Sequence, residues 1–257
     1  MTDIGTPTAD DAAPDLTIFF PAYNEVDGLE RTVVAAIEAG NLLVGLGEID
    51  DYEVLVVDDA STDGTGDLAD ALAARHEEVR AVHHTVNRKL GGSIRTGLAE
   101  ARGRWLLYTD ADLPFDLFEL EKAFRLLRHY DADVVAIYRH DRTGEGLRRL
   151  VYSYAYNSLI HTALGLRVRD VNFAGKLIRR EVLDAVTLHS EGSFIDVELL
   201  AKAQRRGFRI IQFGVDYFPR SRGVSTLSSA PVILKMLREM AAIVPEIRAD
   251  GHRVRPL

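Results

Sequence analysis

The residues Trp105-Leu106-Leu107-Tyr108-Thr109-Asp110-Ala111-Asp112 decide the fold. An apolar run too short for a helix stops on two carboxylates, as a buried strand does when its far end opens on solvent. On either side the pattern turns helical, over Gly92 to Ala101 before it and about Phe115 to His129 after it. Further out, Leu16 to Phe20 ends at Pro21, and a helix from about Val26 carries Leu29, Val33, Ala36 and Ile37 on one face. Tyr52 to Val57 ends at Asp58 ahead of a helix over Asp67 to Ala74, and Arg80 to His83 and Asp133 to Tyr138 read as further strands. Strands alternating with helices predict a Rossmann-like α/β domain, a mostly parallel sheet flanked by helices on both faces.

After Arg139 come a polar Arg/Gly loop, a helix over Leu147 to Leu164, mixed elements from Val171 to Ile178, a helix over Glu198 to Arg206 and a strand over Phe208 to Val215. No linker, repeat or low-complexity stretch interrupts them. The expected division is a tail at 1–15, one domain at 16–230 and an amphipathic helix with a tail at 231–257. Within the domain, 16–139 reads as the nucleotide-binding half and 140–230 as the acceptor half.

The formal charge of −8, from 31 Lys and Arg against 39 Asp and Glu, offers no general attraction to nucleic acid. No cysteine is present, which excludes disulfides, thiolate metal sites and a cysteine nucleophile. Met1 to Asp15 lacks the basic start and apolar run of a secretion signal, so cytoplasmic residence is expected. No stretch reaches the roughly 20 apolar residues of a bilayer span. Pro231 to Ile247, with Ile233, Met236, Leu237, Met240, Ile243, Val244 and Ile247 at helical spacing, either packs on the core or lies on the inner face of a membrane.

Ligands of a parallel sheet gather beyond the carboxyl ends of its strands. Three such ends are rich in polar groups: Pro21-Ala22-Tyr23-Asn24-Glu25, Asp58-Asp59-Ala60-Ser61-Thr62-Asp63-Gly64-Thr65, and Asp110-Ala111-Asp112. Asp110 and Asp112 offer hard oxygen ligands to Mg²⁺ or Mn²⁺, and a diphosphate would add more. Asp58 and Asp59 can accept hydrogen bonds from a base or ribose, with Ser61, Thr62 and Asp63 as candidate caps of the next helix. A second Asp-Ala-Asp, Asp131 to Asp133, precedes its strand and reads as a turn at the opposite edge. His83, His84 and His161 lack ligand spacing and read as structural or surface residues.

In order and content these blocks resemble the family 2 glycosyltransferases of the GT-A fold, above all the enzymes that make dolichyl- or polyprenyl-phosphate mannose and glucose. The likeness also takes in Asn87 to Gly97, Gly175 to Arg180, Phe194 to Leu200 and Pro219 to Thr226, in all about four-fifths of the chain. It implies that Pro21, Tyr23, Glu25, Asp58 and Asp59 line the nucleotide. Asp110, Ala111 and Asp112 would hold the metal and diphosphate, and Lys89 would touch phosphate. The family's Asn-x-Gly-x-Gly-x-Ala is here Asn87-Arg88-Lys89-Leu90-Gly91-Gly92-Ser93. Arg139, Arg142, Arg220, Arg222 and Ser225 fall where related enzymes meet the donor diphosphate or lipid phosphate, and a guanidinium suits that task. Asp112, Asp196 and Arg222 are the residues on which the transfer would depend.

The implied activity is inverting, metal-dependent transfer from a nucleotide sugar to a lipid phosphate, with a membrane surface or small membrane protein as a further partner. If the acceptor were a sugar hydroxyl in a polysaccharide or glycolipid, Asp196 or Glu198 would have to act as base. A nucleotidyltransferase would want a Gly-rich phosphate loop after the first strand, and Pro21 to Glu25 supplies none.

Overall fold

The computed structural model describes residues 13–140, 147–217 and 230–249, with backbone alone at 147–153 and 230–237. Its strands are β1 (Leu16–Ala22), β2 (Tyr52–Asp58), β3 (Val79–His83), β4 (Trp105–Thr109), β5 (Val134–Arg139), β6 (Gly175–Arg179) and β7 (Ile210–Val215). Helices are α1 (Val26–Gly45), α2 (Thr65–Arg75), α3 (Lys89–Glu100), α4 (Leu120–Tyr130), α5 (Leu147–Leu164), α6 (Arg180–Ala185), α7 (Ile195–Arg205) and α8 (Ala230–Ala249). One seven-stranded sheet runs β3-β2-β1-β4-β6-β5-β7. All pairings are parallel except those of β6, which runs antiparallel to both β4 and β5. The mixed segment before Ile178 thus resolves into a strand wedged between β4 and β5, an arrangement that local periodicity cannot reveal.

Alternation along the strands feeds two cores. Leu16, Ile18, Phe20, Val54, Val56, Leu107, Val135 and Ile137 face α1, α2 and α4. Phe19, Leu55, Val57, Leu106, Tyr108, Val134 and Ala136 face α3, α5, α6, α7 and α8. Both sheet faces are covered, so the central strands are largely apolar on both sides, with Thr17 and Glu53 hydrogen-bonded to each other among the exceptions.

Ile243 and Val244 are buried and Ile247 is fully so, with Met240 packed beside them. The described end of α8 therefore packs on the core, the first of its two expected fates. Its Ile233, Met236 and Leu237 lie outside the described side chains. Among the described residues no helix is long and apolar enough to cross a membrane.

Candidate active site

From β1 the chain moves outward to β2 and β3, then returns to place β4 on the other side of β1. Such a reversal opens a crevice at the carboxyl edge of the sheet. The loops ending β1 and β2 are laced together across it. Asn24 N donates to Ser61 Oγ at 3.0 Å and Thr62 N to Asn24 Oδ1 at 2.9 Å. Glu25 N donates to Thr65 Oγ1 at 2.9 Å and Val26 N to Asp63 Oδ2 at 3.2 Å. Here a neighbouring loop satisfies amides that a helix start leaves without partners. Ser61 and Thr62, expected to cap α2, brace the first loop instead, whereas Asp63 does both, its Oδ1 accepting from Thr65 N at 3.0 Å in the first turn of α2, and the cap position itself falls to Gly64 at φ 97°. Tyr23 is left exposed on the rim, with Glu25 half-buried beside it.

Asp58 and Asp59 are buried at the end of β2 and held from behind by two histidines. Asp58 Oδ1 accepts from Ser61 N at 3.2 Å, and its Oδ2 lies 3.2 Å from His83 Nδ1, whose Nε2 is 2.9 Å from Asp70 Oδ1. Asp59 Oδ1 meets His84 Nδ1 and Arg88 N, each at 2.7 Å, and His84 Nε2 lies 2.9 Å from Thr96 Oγ1. A Cβ at Gly66 would come to 3.0 Å from Asp58 Oδ2, so any other residue at this start of α2 would press on that carboxylate. Burial alone would lower the pKa of His83, but hydrogen bonds to Asp70 and Asp58 outweigh it and the value is raised. The signal for this clasp was present in sequence. β3 pairs in parallel with β2, Asp58 opposite His83, so a His-His at the end of one strand must flank an Asp-Asp at the end of the next.

Asp110 and Asp112 follow β4 directly, on either side of buried Ala111. Thr32 Oγ1 donates to Ala111 O at 2.6 Å, which ties the turn to α1, and Leu113 continues it at φ 51°. Two carboxylates on a pinned turn at the carboxyl end of a strand have the chemistry that a hard divalent cation takes. Among the described residues no group of three or more His, Cys, Asp and Glu gathers as a ready metal cage, so such an ion would take part of its shell from the ligand.

Four of the five left-handed non-glycine residues among the described ones share this edge. Asn24 (φ 56°), Ala60 (φ 58°), Lys89 (φ 65°) and Leu113 (φ 51°) are left-handed, one in each loop leaving β1, β2, β3 and β4. Left-handed backbone costs a non-glycine residue about 1–2 kcal/mol and tends to be retained at functional sites.

A family model described as Glycosyl transferase family 2 matches residues 17–187. The chain belongs to glycosyltransferase family 2. Glycosyltransferase AglD of Haloferax volcanii is 35% identical over 214 residues, which are 81% of this chain and 34% of that protein, so this chain spans about a third of it. The undecaprenyl-phosphate mannosyltransferase of Micrococcus luteus is 32% identical over 227 residues, 84% of this chain and 88% of that one. Among solved structures, glucosyl-3-phosphoglycerate synthase from Mycobacterium tuberculosis, crystallised with Mn²⁺, UDP-glucose and phosphoglyceric acid, superposes with a TM-score of 0.67. It is 20% identical, with 92% of this chain and 82% of that chain covered, and at that identity the likeness speaks to the fold, GT-A.

The other site residues of this family 2 transferase are more dispersed. Lys89 is exposed at the first turn of α3, which begins there rather than at Gly92. It stands where the family pattern has its first glycine and keeps the left-handed conformation that glycine would favour. The side chain of Arg139 is only 8% exposed, its Nε and Nη2 at 2.7 and 3.0 Å from the two oxygens of Asp170, and its guanidinium lies over the rings of Phe173 and Tyr217. In this structure it is therefore committed to an interior ion pair rather than presented to a phosphate. Asp196 is also interior, at 2.7 Å from Lys176 Nζ, and burial raises its pKa despite that cation. Glu198, weighed as a base, is fully buried and accepts from His189 N, Ser190 N and Lys202 Nζ. Burial would raise its pKa, but those donors prevail and lower it, so it is a structural anchor for the loop before α7. Arg142, Arg220, Arg222 and Ser225 lie outside the described residues.

Proposed function

We propose that this chain transfers a hexose from a nucleotide sugar of the UDP-glucose or GDP-mannose type to the phosphate of a polyprenyl or dolichyl carrier, with inversion. The observation that carries this reading is that the braced Asp58–Asp59 pair and the Asp110–Asp112 pair follow β2 and β4, the two parallel neighbours of β1, at one edge of the sheet. The first suits the hydrogen-bond donors of a nucleoside, with Pro21, Tyr23 and Glu25 as walls. The second suits Mg²⁺ or Mn²⁺ beside a diphosphate. Such an ion, when bound, stabilises charge gathering on the departing diphosphate.

An acceptor phosphate oxygen, already anionic, attacks the anomeric carbon from the side opposite the nucleotide. The new bond joins that carbon to the phosphate oxygen, while the old bond breaks with its electron pair leaving on the nucleoside diphosphate. No proton has to be removed from the nucleophile, which agrees with the interior ion pair of Asp196 and the anchoring role of Glu198. The name of the Micrococcus luteus relative, matched over most of both chains, supports a lipid phosphate as acceptor. Arg142, Arg220, Arg222 and Ser225 are assigned to phosphate on this reading, and the protein would work at the inner face of a membrane.

Thermal-shift titration with UDP-glucose and GDP-mannose, with and without Mn²⁺, identifies the donor, because a ligand selective for the native state raises its apparent stability. Transfer to a short water-soluble prenyl phosphate then tests the acceptor. Asp196→Asn and Glu198→Gln, measured per folded molecule, should retain appreciable rate. A loss of roughly 10² to 10⁴-fold with unchanged donor binding would show a required base and overturn the phosphate acceptor.

A further inference from the structure

We propose that the outer face of α5, together with the segment 166–169, docks on an anionic bilayer. The inference deepens the lipid-phosphate reading and rests on it. From Leu147 to Arg169 the chain contains no Asp or Glu, yet it carries Arg148, Arg149, His161, Arg167 and Arg169, in a protein of formal charge −8. Tyr154, Ser158, His161 and Thr162 recur on one face of α5 and, with Arg167 and Arg169, border an open groove of about 520 Å³. Tyr154 is 76% exposed and Leu159, on the other flank of the exposed half of the helix, 38%. The opposite side is occupied, since Tyr156, Ile160 and Leu164 pack in the core that holds Ile243, Val244 and Ile247 of α8. Burial on that side raises the pKa of Tyr156.

The basic rim is fixed in place. Arg169 N donates to Gln212 Oε1 at 2.9 Å and Gln212 Nε2 to Arg167 O at 2.8 Å, which clamps the segment on β7. The Arg169 guanidinium lies over the Tyr138 ring, and its Nη1 donates to Tyr138 Oη at 3.1 Å. The next residue, Asp170, is the ion-pair partner of Arg139 at the carboxyl end of β5. The cationic face is thus tied rigidly to the edge of the sheet where the acceptor phosphate must arrive. A tyrosine and a leucine beside arginines, with no acid among them, complement an interface of anionic headgroups over acyl chains. On this account the apolar residues of α8 serve the core and α5 meets the lipid.

Flotation of the full chain with phosphatidylcholine vesicles, with and without phosphatidylglycerol, tests the surface. The intact protein should float with the anionic vesicles, less so as salt is raised, and remain behind with the neutral ones. Arg167→Gln should weaken partitioning on the order of five-fold, the scale of one basic residue at an anionic surface, and Tyr154→Ser/Leu159→Ser should weaken it as well. Both variants should transfer sugar to the water-soluble prenyl phosphate at the intact rate while losing transfer to polyprenyl phosphate in anionic vesicles. Flotation of the variants equal to that of the intact protein overturns the proposal, as does equal flotation on neutral vesicles or no flotation on any. Capture of an acidic protein or nucleic acid in place of vesicles also overturns it. An intact protein that floats as expected but leaves the soluble prenyl phosphate unmodified refutes the lipid-phosphate reading and leaves the docking surface standing.

Discussion

Asp-Ala-Asp occurs twice in this chain, at Asp110 to Asp112 and at Asp131 to Asp133, and the two copies have opposite fates. The first leaves the carboxyl end of β4, with its middle carbonyl pinned by Thr32 and Leu113 held left-handed beyond it. The second lies between α4 and the amino end of β5. Asp131 is the left-handed residue ending α4, at φ 45° and ψ 50°. Asp133 is 1% exposed, accepts from Arg209 N at 2.9 Å and faces Arg179 Nη1 at 3.6 Å. Identical residues thus stand at the carboxyl edge of the sheet in one case and hold a helix against a strand in the other. What separates them is the end of the strand on which they fall, a property of topology rather than of composition.

Asparagine at each of the four positions turns this contrast into measurements. Asp112→Asn and Asp110→Asn should leave the melting temperature nearly unchanged and reduce transfer by on the order of 10²-fold or more, since changing mere outer-shell partners of a metal typically costs 10 to 100-fold. Asp133→Asn should reverse the pattern. Its carboxylate is buried on the Arg209 amide and beside a guanidinium, so stability should fall by about 1–3 kcal/mol, seen as a lower denaturation midpoint, while turnover per folded molecule stays near normal. The contrast collapses if Asp133→Asn and Asp112→Asn impair turnover equally.

The helices and strands around the first triplet were legible because each carries its own period and its own stop. Leu16 to Asp58 could be parsed into strand, helix and strand, and the structure moves the ends by only a few residues. Legibility failed where a role is set by a partner distant in sequence. Nothing local announces that Gly175 to Arg179 slips antiparallel between β4 and β5, or that Lys176 on it meets Asp196 on α7. Arg139 reads as a phosphate ligand until Asp170, far along the chain, occupies it. The short helix α6 passed unnoticed because six residues hold too little of a 3.6-residue period to be read.

A smaller effect distinguishes the two edges by pH. His83 bridges Asp58 and Asp70 with its pKa raised above 6.5. A value higher in the folded than in the unfolded chain contributes stability that is fully present below about 6.5 and is lost as pH rises through the folded value. The side chain is 37% exposed, so solvent screens much of the gain. The brace on Asp58 should loosen over the same range, so stabilisation by the nucleotide should decline above the ordinary histidine pKa. His83→Gln should flatten that decline. A pH profile of nucleotide binding in His83→Gln identical to the intact protein would remove His83 from the donor site.

The smallest expected effect has the opposite sign. Asp131 follows the last turn of α4, where its amide approaches the Arg128 and Leu127 carbonyls. A carboxylate there meets the negative end of the helix dipole, an interaction of about 0.3–1 kcal/mol at exposed sites, and aspartate has no advantage over asparagine in left-handed backbone. Asp131→Asn should therefore stabilise the protein by a few tenths of a kcal/mol, read as a slightly higher denaturant midpoint with an unchanged slope. Transfer should be unaffected. The chemical change is the one expected to disable the site at Asp110, made at the equivalent position of the same tripeptide. If Asp131→Asn instead slows transfer at constant stability, the amino edge of β5 takes part in the reaction, and strand polarity no longer separates the two triplets.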